Sequence, residues 1–418
     1  MFASRTLTSK VADGCHANTA RRASPGWPVS WLLMLEESGD RSLPLSGVTV
    51  VSVEQAVAAP FATRQLADLG ARVIKVERPG TGDFARAYDR AVHGESSYFV
   101  WLNRGKESIA LDLKDGTDLA LLDRIVDRAD VFVQNLVPGA AQRLGLAADV
   151  LRGRRPELIH CSISGYGATG PYRGRKAYDL LVQCEVGLLD VTGTAEERVK
   201  AGIPVADIAT GMYAYAGILS ALYERERTGE GSTLDVAMLD ALGEWLTQPA
   251  YYAMYGGQPL PRAGARHPSV SPYGPYRAAG GTLFLSVQND VEWAALCRQV
   301  LGRPELIDDA YFADNTARLR HDGQLTAILE AMFATMDVDH AIELLNGAGI
   351  AAARLRTPAE LFDHPQLVSR DRVREVASPG GPVRALVPPV TVRGREPLMR
   401  EAPALGEHSD RIRREFSE

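Results

Sequence analysis

Only four of the 418 residues are cysteine (Cys15, Cys161, Cys184 and Cys297), and no two of them stand in a C-x-x-C spacing. This argues against a disulfide-built scaffold and a cysteine-ligated metal centre, and the thiols read as idle or buried groups of a reducing, cytoplasmic compartment. The eight histidines are dispersed and form no H-E-x-x-H, so no metal is expected. No uninterrupted apolar run reaches the roughly 18 residues that a membrane span needs, and no membrane association is expected. Positive charge is not in excess: 46 Lys and Arg face 52 Asp and Glu, for a net charge of -6, so no basic field invites nucleic acid. A G-x-G-x-x-G is also missing after the first β-rich stretch, where Ala58-Ala59-Pro60 stands instead, which removes the main support for a dinucleotide site.

What is present suits a packed core. Hydrophobic residues make up 45% of the chain and charged residues 23%, enough for two or three domains. The first 34 residues stand apart, with Arg5, Lys10, Arg21 and Arg22 against the single Asp13 among Ser, Thr and Ala. Residues 1–44 are expected to be a disordered leader or to follow a start assigned too early, with Met34 a candidate start; a transit peptide is the alternative.

Regular alternation begins at Leu45. Val48 to Val53 reads as a strand, Pro60 opens a helix that Gly70 stops, and Arg72 to Glu77 reads as a second strand. The short strand–helix–strand spacing implies a parallel crossover. Further strands are expected at Ser108–Leu113, Asp130–Leu136, Leu158–Ser164 and Leu234–Val236. Helices are expected at Asp118–Ala129, Asp207–Thr228 and Met238–Tyr255. This pattern argues for an α/β fold with a Rossmann-like parallel sheet. Composition then shifts: Gly256 to Gly281 carries six glycines and five prolines. A hairpin turning at Gly280-Gly281, three helices (Glu292–Leu301, Leu325–Thr335, His340–Leu345) and a strand over Ile350–Leu355 follow, which makes a smaller α+β domain. The expected division is a large domain over 45–256, a small one over 257–360, and a C-terminal segment over 361–418 that returns to the large domain.

Several segments in order carry a resemblance: LSGVTVVSVEQAVAAPFATRQLADLGARVIKVERPGTGDFAR (45–86), LNRGKESIALDLK (102–114), ADVFVQNLVPGAAQRLG (129–145), SGYGATGPYRGRKAYDLLVQ (164–183), PVADIATG (204–211), RERTGEGSTLDVAMLDAL (225–242) and PALGEHSD (403–410). Together they resemble the class III CoA-transferase (CaiB/BaiF) family, to which formyl-CoA transferase and carnitine CoA-transferase belong. The resemblance implies an interlocked homodimer, with acyl-CoA and a small carboxylic acid as substrates. It also implies that coenzyme A is bound as substrate and product, with no tightly held cofactor.

The resemblance assigns the nucleophile to the aspartate of Val205-Ala206-Asp207. An aspartate opening a helix is ordinarily a cap, and it also faces unpaired N–H groups that stabilise negative charge. Tyr178 and Asp179 form a second polar pair, with Asp179 expected to orient substrate or to cap a helix. In the related α-methylacyl-CoA racemases the position of Tyr178 is a histidine. A phenol, with an ordinary pKa of about 10, is a poor base at neutral pH, which favours transfer over racemisation. Racemisation on the same fold, and acyl-CoA binding without catalysis, are the alternatives. For coenzyme A the matching positions are Ala56, Val57, Arg78, Leu111, Lys114, Asn135, Leu136, Arg143 and Lys176. In oxalate-using formyl-CoA transferases a glutamine stands where this chain has Val57. The apolar replacement suits a larger acid, with succinate, mesaconate, itaconate and citramalate as candidates. His267 reads as a loop-ordering or substrate-contact residue, and Arg262 and Arg266 as candidate cations for the acceptor.

Overall fold

The structure is a computed structural model and describes residues 43–417. The expected leader lies outside the described residues. Six parallel strands form the main sheet: β1 (Thr49–Val53), β2 (Arg72–Glu77), β3 (Lys106–Ala110), β4 (Val131–Gln134), β5 (Ile159–Ser164) and β6 (Thr233–Ala237). Their spatial order is β3-β2-β1-β4-β5-β6, so the chain reverses direction across the sheet between β1 and β4. At such a reversal the two outgoing loops diverge and leave a crevice at the carboxyl edge.

Apolar side chains cover both faces of the sheet, as a parallel sheet requires. On one face Val50, Val73, Val131 and Ile159 pack with Ala62 and Leu66 of the helix Ala58–Asp68 and with Ala214 and Ile218 of the helix Val205–Thr228. On the other, Val51, Ile74 and Phe132 pack with Leu122 and Ile125 of the helix Gly116–Val126 and with Ile412 and Phe416. Near the C-terminus, Ser409 Oγ accepts a hydrogen bond from Ala110 N at 3.0 Å, and Arg72 pairs with Glu415 at 2.6 Å.

The helix Val205–Thr228 is long and apolar enough, by length and composition, to pass as a membrane span. Its buried residues Ala214, Ile218, Ala221 and Leu222 instead belong to the core around the sheet. Because it crosses from β5 to β6, its N-terminus lies at the carboxyl edge, and Gly229 ends it at φ 78°.

A second sheet is antiparallel: β7 (Tyr273–Ala278), β8 (Gly281–Ser286) and β9 (Ala351–Arg354), with Gly280 at φ 77° in the β7–β8 turn. Trp293, Phe312, Phe333 and a set of leucines fill its core. Two expectations shift. The third strand begins at Lys106 and ends at Ala110, two or three residues before the expected span. The expected helix Met238–Tyr255 divides at Leu246 into Met238–Trp245 and Thr247–Tyr255. The β-like tail over 382–392 contributes Val383–Leu386, which pairs with Val373–Val376 as a separate hairpin.

Candidate active site

Asp207 stands in the first turn of its helix, where the N-terminal dipole favours negative charge. A second helix meets it there. The helix Ala58–Asp68 begins without any side-chain cap, and the N–H of Ala58, one of its unpaired donors, lies near enough to pull the Asp207 carboxyl toward its ionised form. Gly211, one turn along the same face, permits this approach: a Cβ there would stand 2.6 Å from the Ala58 carbonyl oxygen and 3.0 Å from the Phe61 ring.

Asp179 takes the capping role. One oxygen accepts from the N–H of Ala206 at 2.7 Å and of Asp207 at 3.3 Å, and the other from Gln183 Nε2 at 2.5 Å. The two carboxylates therefore share one helix start. Burial, followed by the charge of Asp179, pushes the pKa of Asp207 up to about 7, against the pull of the Ala58 N–H. The same carboxyl is thus acidic enough to ionise near neutrality and basic enough to be a better nucleophile than an ordinary aspartate.

The turn after β1 brings Ala56 into left-handed backbone at φ 63°. Val57 follows, buried at 3% exposure, so the apolar wall expected there presents little surface in this chain. Asn135, after β4, spans the crevice: its Oδ1 accepts from Gln55 N at 2.9 Å and its Nδ2 donates to Gln55 O at 2.8 Å. Its amide therefore clamps the two diverging loops together. Arg78, Lys114 and Arg143 are exposed cations that follow β2, β3 and β4, and Lys176 is exposed on the segment after β5. Leu136 is half-buried, with its N–H on Gln134 Oε1. Leu111 has its side chain in the core with Ile109 and Leu122, so its backbone is what it offers a ligand.

Tyr178 is 60% exposed at the start of the helix Asp179–Glu185. The residue that sequence reading missed beside it is Tyr88. Burial, then the charges of Asp83 and Asp207, push its phenol up to about 12, which keeps it protonated within electrostatic reach of Asp207. Tyr88 belongs to an aromatic row, meeting Phe84 at 5.7 Å and Tyr98 at 5.4 Å between ring centroids. Its sequence position carries no signal beyond an aromatic in a loop.

Three loosely held candidates are engaged elsewhere. Arg262 donates to Thr194 O and Ala195 O and pairs with Asp190. Arg266 lies over the Tyr276 ring and 3.6 Å from Asp322. His267 stacks on Tyr273 and accepts from Ser269 N, which orders its loop.

A Rossmann-type sheet whose carboxyl edge presents a half-buried aspartate at a helix start and a fringe of cations suits an acyl-group transferase, and the comparisons narrow it. Residues 45–409 match CoA-transferase family III. The succinyl-CoA:glutarate CoA-transferase of Mus musculus is 36% identical over 391 residues, covering 92% of this chain and 89% of that protein. The acetyl-CoA:oxalate CoA-transferase of Acetobacter aceti is 36% identical, covering 90% and 96%. The crystal structure of a CAIB/BAIF family protein from Brucella suis superposes with a TM-score of 0.81 at 35% identity, covering 90% of this chain and 99% of that one. The chain belongs to CoA-transferase family III and is a class III CoA-transferase.

Proposed function

We propose that this enzyme moves coenzyme A from an acyl-CoA, succinyl-CoA in the first place, to a small dicarboxylic acid, with Asp207 carrying the acyl group and then the CoA. An Asp207 oxygen attacks the thioester carbon, the C–S bond breaks, and CoA leaves as thiolate. The thiolate then attacks the Asp207 carbonyl carbon of the mixed anhydride, and the donor acid departs as carboxylate. The acceptor carboxylate and the thiolate repeat the two steps in reverse. No net proton or cofactor is consumed.

One arrangement carries this reading: Asp207 in the first turn of its helix, beside the capping Asp179, with the start of the helix Ala58–Asp68 brought against that turn at Gly211. A tetrahedral intermediate at the Asp207 carboxyl carbon places negative charge on the carboxyl oxygens, where a fixed donor at a helix N-terminus is most effective. Arg78, Arg143 and Lys114 are assigned to the phosphates of coenzyme A, in keeping with their exposure along the carboxyl edge. The acids in the relatives' names, glutarate and oxalate, are both dicarboxylates. Val57 in place of glutamine favours an acceptor longer than oxalate. The enzyme is further assigned to the cytoplasm as an interlocked homodimer. Tyr223, Tyr251, Met254 and Tyr255 are exposed by 58–78% on two helices, an apolar surface that suits burial against a second copy.

The test is an acid panel. Succinyl-CoA is incubated with oxalate, glutarate, mesaconate, itaconate, citramalate and acetate, and new thioesters are read by mass spectrometry. Exchange is expected with the five-carbon dicarboxylates ahead of oxalate and acetate. Absence of any new thioester, or deuterium uptake at the α-carbon in its place, contradicts the proposal.

A further inference from the structure

Beneath the β1 turn lies a set of charges that the transfer chemistry does not use. Lys75, in the middle of β2, and Lys106, opening β3, are each without side-chain exposure, as are Glu54 and Asp83. Lys75 Nζ is 2.8 Å from Asp83 Oδ2 and 3.4 Å from Glu54, and Lys106 Nζ is 2.7 Å from Glu54. Two lysines thus face two carboxylates with no water-facing side, and burial pulls Lys106 down to about 7. Burying four charges carries a large desolvation cost, and well-packed apolar residues of similar volume commonly match or exceed the stability of such a group. Stability is therefore a poor explanation for it.

Its connections suggest a different one, because they hold Glu54 and Ala56, two of the four residues between β1 and the following helix, and the first turns of that helix. Glu54 accepts from Thr63 Oγ1 at 2.8 Å, and Lys106 donates to Pro60 O at 3.0 Å, which ties the first turns of the helix to the sheet. Asp83 does the rest. Its Oδ2 receives Lys75, while its Oδ1 accepts from the N–H of Ala56 at 3.0 Å and of Ala85 at 2.9 Å. Ala56 is the residue at φ 63°, a backbone that an alanine adopts only when its surroundings enforce it. Two residues later comes Ala58, which packs against Gly211 one turn from Asp207 and whose N–H draws the Asp207 pKa down. Glu77 fixes Asp83 in turn, accepting its N–H at 2.9 Å while pairing with Arg86 at 2.7 Å.

We propose that Asp83 is a positioning residue: anchored by buried Lys75, it holds Ala56 in left-handed backbone and so keeps the Ala58 N–H aimed at the nucleophile. The proposal rests on the reading of Asp207 as the carboxylate that carries the acyl group and CoA. A carboxylate is required because two oxygens must accept from opposite sides. An amide has one acceptor oxygen and cannot serve both Lys75 and the Ala56 N–H. Asp83 touches no reacting atom in this scheme, so its effect passes entirely through the turn.

The experiment uses the full-length chain with succinyl-CoA and glutarate. Asp83→Asn is expected to lower kcat about 100-fold while the KM for succinyl-CoA stays within about threefold, the signature of a donor moved by a fraction of an ångström. Loss of the Ala58 donor also removes the contact that pulls Asp207 down against burial and Asp179, so the acid limb of the pH–rate profile moves to higher pH. Adding Ala56→Gly, which relieves the left-handed backbone, is expected to return about tenfold of the lost kcat. Asp83→Glu keeps the charge for Lys75 but displaces the acceptor, and stands in if the asparagine variant does not fold; it too lowers kcat with KM retained. A folded Asp83→Asn or Asp83→Glu enzyme with parental kcat, a loss confined to KM, an unmoved acid limb or no recovery by glycine overturns the proposal. Asp207→Ala in the same assay separates the two ideas. If it is inactive while the Asp83 variants match the parent, only the positioning role falls. If it turns over normally, the nucleophile assignment falls as well.

Discussion

The parallel and antiparallel sheets of this chain treat buried charge in opposite ways. Around the parallel sheet, Glu54, Lys75, Glu77, Asp83 and Lys106 are buried and paired, and so are Arg64, Asp68 and Arg104 on the neighbouring helices and loops. In the antiparallel region, among the described residues, Arg318 is the buried charge, held by Ser271 O, Phe312 O and Asp290 at the edge of an otherwise apolar core. Both regions fold on similar apolar packing. Arg64, Asp68 and Arg104 gather at the far end of the helix Ala58–Asp68, but the group around Glu54 and Asp83 falls beside the crevice, where a turn and two helix starts must meet at one carboxylate. Apolar contacts set distances loosely and tolerate repacking, whereas charge-assisted hydrogen bonds fix directions.

The sharpest way to break this comparison is at the nucleophile itself. Asp207→Ala is expected to cost at least about 10⁴-fold in kcat, measured as CoA exchange, as removal of a covalent catalyst does elsewhere. A matched pair of packing changes comes next. Gly211→Ala forces the Ala58 carbonyl away and is expected to lower kcat by about 10- to 100-fold with a modest change in stability. Leu329→Ala, in the small apolar core, is expected to cost about 2–5 kcal/mol of unfolding free energy while kcat per folded molecule stays within about twofold. Denaturant titration and steady-state kinetics on both variants decide the matter, and the reverse pattern would erase the distinction between the two regions.

The pH dependence follows from the same geometry. In the proposed mechanism Asp207 works as carboxylate, so kcat/KM is expected to fall about tenfold per unit as pH drops below about 7, where Asp207 protonates. The smallest effect expected is on stability. The folded value near 7 lies above the ordinary 3.8. Folding therefore favours the protonated form, whose benefit is present below about pH 4 and lost as pH rises through 7. At pH 8 the ionised carboxylate burdens the fold by on the order of 2–4 kcal/mol, reduced by solvent at a half-open site. Asp207→Asn is thus expected to raise Tm by a few degrees at pH 8 and by less at pH 5, read by calorimetry.

Much of the parallel sheet was legible because its strands are short β-branched runs separated by helical periods, and Gly70 and Gly229 mark helix ends by their need for positive φ. The third strand was misplaced because Lys106 and Glu107 look like loop residues. Only the fold reveals that the lysine has Glu54 to pair with, 52 residues away in sequence. Asp207 was legible through the motif around it and through its place at a helix start. Asp83, Gly211 and Tyr88 were not, since their meaning lies in contacts across the fold: a backbone N–H, a carbonyl and a distant carboxylate. One signal did exist, a lysine inside the buried run RVIKVE, since the middle of a parallel strand accepts a charge only when something opposite requires it.

The covalent step is open to direct observation. Enzyme mixed with succinyl-CoA, without acceptor, is quenched with hydroxylamine and digested, and the peptide spanning Asp207 is examined by mass spectrometry. A hydroxamate at Asp207 that appears only with the thioester present is the expected result. An unmodified Asp207 in a preparation that is turning over, or a hydroxamate on another carboxyl group, would contradict the role given to this residue.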